Sequence, residues 1–362
     1  MKAAVLKQIG DDKLDIRTDA ATTGPGPEEV RVRIRASGIC HSDVSAMNGS
    51  LPTMAPGVMG HEGAGEVLET GSAVTDLDPG DRVVISFVPP CGGCPHCLRG
   101  QPNLCEVHTV AAFTSPRFEV GEEPAFGFGG CGTFAEEVVV PRSGAIKVDD
   151  EVPFEVGALL GCGVLTGVGA VINTAAVEPG STVAVIGCGG VGISVIQGAR
   201  LAGATRIVAV DPDTDKHASA RRFGATHVTT PDGLQELNDS VTSGSGFDYA
   251  FEVVGLAATI RTAYDATRRG GSVVVVGAGG PEQKIEFTAQ ELFITERKIL
   301  PSFYGSADPR RDVGRMVEFW RAGLLDLEGM VSTRMSLDDV NAGLDALKDG
   351  TNGVVRQIVT VD

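Results

Sequence analysis

Four thiols, Cys91, Cys94, Cys97 and Cys105, fall within fifteen residues, and that spacing restricts the local fold more than anything else in the chain. Four soft ligands at such short range match one tetrahedral zinc ion, around which a loop can wrap without crossing the rest of a domain. Gly92, Gly93, Pro95 and Gly100 interrupt regular periodicity here, so the stretch is expected to lie outside helix and strand, as a metal-wrapping lobe at 91–105. The competing reading is two disulfides, which belong to an oxidising compartment. Met1 to Gly10 has no charged leader and no long apolar core, so a cytoplasmic location is expected and the zinc reading is preferred. Four cysteines suffice, which leaves His96 and His108 out of the shell.

The 362 residues set an expectation of about two domains. A net charge of −17 repels nucleic acid and anionic membrane surfaces, so small-molecule partners are expected instead. Much of the excess of glycine, 49 residues, sits in short apolar runs, where it serves tight turns and close backbone approach. Gly157 to Val177 carries no charge and is long enough to span a bilayer. Its glycines, Thr166, Thr174, Asn173 and Cys162 make it a poor span, and it reads as a buried helix and turn.

Two textures divide the chain. Up to about residue 140, Val30, Val32, Ile34 and Ala36 alternate with arginines, and short strands recur at Gly65–Glu69, Arg82–Val88 and Ala135–Val140; this is an all-β pattern. After about Val164, apolar runs at Thr182–Ile186, Arg206–Val210, Tyr249–Val253 and Ser272–Gly277 alternate with helix-length segments. That predicts a parallel sheet covered by helices on both faces, so the chain as a whole is α/β. Helices at Val313–Ala322 and Leu337–Lys348 and a strand at Val354–Val361 should close it.

Immediately after Thr182–Ile186 come Gly187, Cys188, Gly189, Gly190, Val191 and Gly192, a GxGxxG opening an apolar helix, and the next strand ends at Asp211. Strand, glycine turn, helix and downstream acid together form a dinucleotide fingerprint. The first glycine makes the turn, the second admits the pyrophosphate, the third lets the helix pack, and free N–H groups at the helix start face the phosphates. Asp211 can accept from the adenosine ribose hydroxyls and would repel a 2′-phosphate, so NAD is expected over NADP. Lys216 can reach the ribose edge.

Cys40 lies in Gly38-Ile39-Cys40-His41-Ser42-Asp43, and Gly60-His61-Glu62-Gly63-Ala64-Gly65 follows. With the four-cysteine lobe, Gly161-Cys162-Gly163 and the glycine fingerprint ending in Asp211, these motifs resemble, over essentially the whole length, the zinc-dependent medium-chain alcohol dehydrogenases. The resemblance implies a GroES-like β-barrel catalytic domain, 1–163 and 306–362, and a Rossmann NAD-binding domain, 164–305. It implies two zinc ions per chain: a structural one in the lobe, and a catalytic one held by Cys40, His61 and Cys162, a ligand set that general accounts of catalytic zinc exemplify with alcohol dehydrogenase itself. Glu62 resembles the family's acidic residue beside the metal, and Asp43 the partner that orients His61. Ser42 matches the hydroxyl that takes the alcohol proton, but the histidine that usually ends such a relay is replaced by Ser45.

By the same resemblance His41 and Arg356 meet the pyrophosphate, with Arg356 expected to contribute more because a guanidinium binds phosphate in two places. Thr166, Val276 and Ala278 pack the nicotinamide and hold its carboxamide. Phe87 and Phe128 face the substrate, and Gly129 replaces a bulkier residue. The implied reaction is reversible oxidation of a primary alcohol, aromatic or medium to long chain, to the aldehyde. An aldehyde or ketone reductase and a thiol-adduct dehydrogenase are the alternatives, with a non-enzymatic NAD-binding module as the remote one. Glutathione-adduct members carry an arginine soon after the last lobe cysteine, and residues 106–110 contain none. The length between Cys105 and Phe134 implies a homodimer, paired through Gln290 to Phe303. Cys131 and Cys188 read as buried free thiols.

Overall fold

The alternation that begins at Val30 builds an eleven-residue strand, Glu29–Ile39. Val30, Val32 and Ile34 are fully buried, while Arg31 and Arg35 pair across the sheet with Glu69, Glu137 and Glu66. The structure, a computed structural model, describes residues 1–350 and 354–361; Thr351–Gly353 and Asp362, which fall in the expected catalytic domain, lie outside the described residues. The chain divides into two compact units. The first joins Met1–Gly163, Ala307–Asp349 and the residues from Arg356 onward, and the second contains Val164–Ser306.

In the first unit, Glu29–Ile39 is central to a seven-stranded sheet, flanked by Glu62–Thr70 and Arg356–Thr360, with Glu137–Pro141 also paired to it. Register decides what the sheet brings together. Gly38 lies opposite Glu62 and Ile39 opposite Gln357, so Cys40, Glu62 and Arg356 meet at one end of three neighbouring strands. A six-stranded sheet, including Ala3–Leu6 and Glu123–Gly127, adjoins it through a bridge between Ala3 and Ala135. The sheets nearly close around a core that includes Leu6, Ile34, Met59, Phe118 and Phe134. Each such buried side chain contributes roughly 1.5–3 kcal/mol.

The second unit is a six-stranded parallel sheet in the order His227–Thr229, Arg206–Val210, Thr182–Ile186, Phe247–Glu252, Thr267–Val275 and Lys298–Pro301. Numbered along the unit this is 3-2-1-4-5-6, the doubly wound Rossmann order, whose direction reverses between Thr182–Ile186 and Phe247–Glu252. Gly157–Val177 is largely buried, as helix to Gly161, helix Gly163–Gly169 and a π turn Ala170–Thr174. No single helix among the described residues is long and apolar enough to cross a membrane; two short ones broken at Cys162 have the length only together.

Three local expectations are corrected. The lobe holds two short helical turns, Pro95–Leu98 and the 3-10 turn Pro102–Leu104, each opened by a proline, which fits the first helical position, where no N–H is needed. The all-β pattern expected up to about residue 140 is interrupted by a nine-residue helix, Glu106–Thr114, after the last lobe cysteine. The C-terminal strand begins at Arg356, not Val354.

Candidate functional site

Cys40 caps the N-terminus of helix His41–Met47. Its N–H donates to Asp43 Oδ2 at 3.0 Å. The other oxygen, Asp43 Oδ1, accepts from Gly60 N–H at 3.2 Å and lies 3.2 Å from His61 Nδ1. One fully buried carboxylate therefore braces two of the expected ligands and fixes the imidazole so that Nε2 is left to act. Gly60 adopts φ +86, and a Cβ there would lie 2.6 Å from Phe134, so only glycine lets the chain deliver His61. Phe87 and Phe128 pack against the imidazole in T-shaped pairs, with ring centroids 5.4 and 5.1 Å away.

Cys162 occupies the break between two helices, with φ −142 and ψ −70. A Cβ on Gly161 would meet the Ile85 carbonyl at 2.8 Å, and one on Gly163 would overlap the Arg356 guanidinium. The resulting cluster of Cys40, His61, Glu62 and Cys162 is wholly buried, with ligand atoms all within 4.8 Å of one another. Tetrahedral zinc with bonds of about 2.0–2.3 Å would space its ligands about 3.3–3.8 Å apart. His61 Nε2 and both Glu62 oxygens are buried without hydrogen bonds, an expense that a cation among them would remove.

The electrostatics agree. The hydrogen bond between the two thiols pulls Cys40 well below the ordinary thiol range and holds Cys162 well above it. Burial opposes a charge on His61, but Asp43 and Cys40 outweigh it and raise its pKa well above the usual value. Burial lifts Glu62 to about 7, with Arg356 opposing. Cys162, His61 and Glu62 are thus held toward their protonated forms and Cys40 toward the thiolate, and a divalent cation among them would take the place of those protons.

Ser42 Oγ lies 3.6 Å from Cys40 Sγ, and His41 is exposed at the start of the same helix. Arg356 is buried. Its Nη2 lies 3.1 Å from Glu62 Oε1, out of hydrogen-bond alignment, and its Nη1 donates to the Ile39 carbonyl at 3.3 Å. Two contributors went unnoticed in the sequence. Gly38 leaves room for Glu62, whose Oε2 would overlap any Cβ there; its place beside Ile39-Cys40 was the available signal. Cys131 Sγ donates to the Phe128 carbonyl at 3.4 Å, bracing the turn that sets Phe128 on His61. A Cβ at Gly129, where φ is +62, would lie 3.2 Å from Phe87 Cβ, so glycine there serves a tight turn as well as leaving space.

The lobe contains the second cluster. Cys91, Cys94, Cys97 and Cys105 place their sulfurs within 4.8 Å of one another. Separations of 4.0 Å for Cys91–Cys97 and Cys94–Cys105 are twice a disulfide bond, and all four cysteines are free. N–H groups of Gly93 and Cys94 donate to Cys91 Sγ, and that of Cys91 to Cys105 Sγ. His96 is engaged by Gln101 and Glu106.

In the second unit, Gly187 turns at φ +101, and Gly189 caps helix Gly190–Leu201. A Cβ on Gly192 would sit 1.9 Å from the Gly187 carbonyl oxygen, while one on Gly189 would meet nothing within 4 Å, so that position faces the open space a phosphate needs. Asp211 Oδ2 accepts from Cys188 N–H at 2.8 Å and Oδ1 from Asp213 N–H at 2.9 Å. Lys216 Nζ lies 3.7 Å from Asp211 Oδ1. Val191 follows Gly190 in the fingerprint helix, Thr166 lies on Gly163–Gly169, and Val276 and Ala278 flank the turn after Thr267–Val275.

A GroES-like unit with a buried two-thiol, one-imidazole cluster, together with a doubly wound unit bearing a dinucleotide fingerprint, defines the class of zinc-dependent dehydrogenases. Residues 26–150 match the family model of the alcohol dehydrogenase GroES-like domain, and residues 190–321 that of the zinc-binding dehydrogenases. S-(hydroxymethyl)glutathione dehydrogenase of Escherichia coli is 38% identical over 369 residues, covering 99% of each chain. Benzyl alcohol dehydrogenase of Acinetobacter calcoaceticus superposes with a TM-score of 0.91 at 28% identity, over 100% of this chain and 99% of that one. A Sinorhizobium meliloti chain solved with NADP has a TM-score of 0.81 at 28% identity, covering 99% of each. The protein belongs to the zinc-dependent medium-chain dehydrogenase/reductase family and is an oxidoreductase. The non-enzymatic alternative is thereby set aside.

Proposed function

We propose that the enzyme oxidises a primary alcohol of aromatic or medium to long apolar character to its aldehyde, reversibly and with NAD, and carries two zinc ions per chain. The observation that carries this reading is the buried cluster of Cys40, His61, Glu62 and Cys162, with His61 Nε2 unpartnered and two phenylalanine rings packed beside it. Cys40, His61 and Cys162 would hold the catalytic ion, Glu62 would approach it when ligands exchange, and Cys91, Cys94, Cys97 and Cys105 would hold the structural one. When bound, zinc supplies Lewis acidity to an alcohol oxygen and the nicotinamide a hydride acceptor.

The chain's own residues do the rest. Asp43 keeps the His61 tautomer with Nε2 free. Phe87 and Phe128 exclude water and offer an apolar face to the substrate. Ser42 Oγ takes the hydroxyl proton, and Ser45, three residues on along the same helix face, continues its exit where relatives use histidine.

For the cofactor, Gly187, Gly189, Gly190, Val191 and Gly192 would receive the pyrophosphate, Asp211 and Lys216 the adenosine ribose, and Thr166, Val276 and Ala278 the nicotinamide. Of the two phosphate candidates we place exposed His41 ahead of Arg356, whose guanidinium is engaged with Glu62 and Ile39. Both Asp211 oxygens already accept main-chain N–H groups, which fixes a negative charge where a 2′-phosphate would have to sit. Asp211→Ala is therefore expected to narrow the preference for NAD over NADP by about tenfold or more; an unchanged ratio of kcat/KM values would place selectivity elsewhere.

A panel of benzyl alcohol, octanol, ethanol and secondary alcohols, assayed with NAD and NADP, tests the reading: turnover should be greatest for the first two, and silence across the zinc-replete panel would refute alcohol oxidation. A thiol-adduct substrate is the second reading, favoured by the name of the Escherichia coli relative and opposed by the absence of arginine at 106–110. Adding S-(hydroxymethyl)glutathione to the panel separates the two.

We further propose a homodimer. Lys298–Pro301 is an edge strand of the parallel sheet, and Phe293, Phe303 and Ile299 around it are exposed, which is the profile of a strand that pairs with a copy of itself. A location in the reducing cytoplasm suits eight free thiols.

A further inference from the structure

Glu252 ends the strand Phe247–Glu252, is fully buried, and has no part in the roles above. Its Oε1 accepts three hydrogen bonds, from Val254 N–H at 2.9 Å, Gly255 N–H at 2.8 Å and the Thr259 hydroxyl at 2.7 Å. Its main-chain carbonyl accepts two more, from Val276 N–H at 2.8 Å and Gly277 N–H at 3.0 Å. One residue thus fixes the turns that leave two neighbouring parallel strands. The turns also interlock, since a Cβ on Gly255 would lie 2.7 Å from the Ala278 carbonyl carbon and one on Gly277 would lie 2.1 Å from Gly255 N.

The location gives this anchoring a purpose. Glu252 stands in register with Ile186, directly before the glycine fingerprint, at the reversal of strand order where doubly wound sheets bind their ligands. The other oxygen, Oε2, is buried with no hydrogen-bond partner. Such an orphan opposes folding, so a carboxyl group at this position is explained by what Oε1 holds and not by packing. Val254, at the crest of the first turn, is exposed at the same end of the sheet.

We propose that Glu252 is a positioning residue for the nicotinamide half of the cofactor, setting through Oε1 and its carbonyl the turns that carry Val254 and Val276–Ala278. The inference rests on the reading that Val276 and Ala278 meet the nicotinamide. It deepens that reading by naming the group that holds them.

Binding titrations of the zinc-replete enzyme with NAD and with ADP-ribose, which lacks the nicotinamide, test it in the wild type, Glu252→Ala, Glu252→Gln and Thr259→Val. Glu252→Ala should weaken NAD by about tenfold or more while ADP-ribose changes less than about twofold, and Glu252→Gln, which keeps an acceptor at Oε1, should recover most of the loss. Thr259→Val removes one donor and should weaken NAD by about threefold, again sparing ADP-ribose; it decides the matter if Glu252→Ala does not fold. Equal losses for both ligands, or none for NAD, would overturn the assignment and leave Glu252 a structural group. If the wild type binds NAD no more tightly than ADP-ribose, the nicotinamide reading itself fails, and the role assigned to Glu252 falls with it.

Discussion

The two sulfur-bearing clusters are built in opposite ways. The lobe draws four like ligands from residues 91–105, with Cys91 exposed and main-chain N–H groups donating to its sulfurs. The other cluster gathers unlike ligands from residues 40, 61, 62 and 162, all buried, with Asp43 bracing two of them and Glu62 left without a hydrogen bond. A closed shell of four thiolates suits an ion whose task is to hold a loop. Three fixed ligands and one restrained carboxyl suit an ion whose coordination must change. Local sequence specifies the first site, and the register of neighbouring strands together with a helix break at Cys162 specifies the second.

The sharpest way to break the comparison is to remove a ligand from each. Cys162→Ser should lower kcat/KM by about a thousandfold or more, because several kcal/mol of Lewis-acid stabilisation are lost, while the melting temperature changes little. Retained turnover would remove Cys162 from the ligand set. Cys105→Ser should act the other way round, costing about 3–5 kcal/mol of stability through loss of the structural ion. A variant that melts like the wild type would mean the lobe holds itself without metal.

Smaller effects separate ligands from their supports. Asp43→Asn keeps the shape of the side chain, but its Nδ2 cannot accept the Cys40 N–H. Affinity for zinc in the buried site should fall by about 10–100-fold with the lobe site unaffected, as competition with a chelator would measure; equal weakening of both sites would point to general loosening. His108 lies on the helix that follows the lobe and packs against Gly130, whose Cβ would lie 3.1 Å from its ring. Burial lowers its pKa to about 4. The unfolded chain therefore takes up a proton near pH 6.5 that the folded chain refuses until about 4, so this residue reduces stability as pH falls through that window and has no effect above it. His108→Gln should flatten the loss of melting temperature between about pH 6.5 and 4 by the equivalent of about 2–3 kcal/mol. An unaltered acid limb would show that His108 does not set it.

The same contrast explains what could be read in advance. The lobe, the glycine fingerprint and Asp211 were legible from spacing because each is a local arrangement. Cys40, His61 and Cys162 were recognisable only through resemblance, since nothing in their spacing says that two strand ends and a helix break converge. Arg356 was expected at a phosphate; that its guanidinium also lies beside Glu62 follows from the pairing of Arg356–Thr360 with Glu29–Ile39, which its own sequence surroundings do not announce. Cys131 and Glu252 gave no signal because their tasks, bonds to the Phe128 carbonyl and to two turns, exist only after folding. The helical turn at Pro95 was hidden by glycines that flank it without entering it.

The central claim is that the buried cluster is a second zinc site, distinct from the lobe. Zinc content per chain, measured by elemental analysis of protein purified without added metal, tests it most directly when the two ligand variants are measured alongside. The account predicts two equivalents in the wild type and one in each of Cys162→Ser and Cys105→Ser. A single equivalent in the wild type, lost in Cys105→Ser and undiminished in Cys162→Ser, would contradict it.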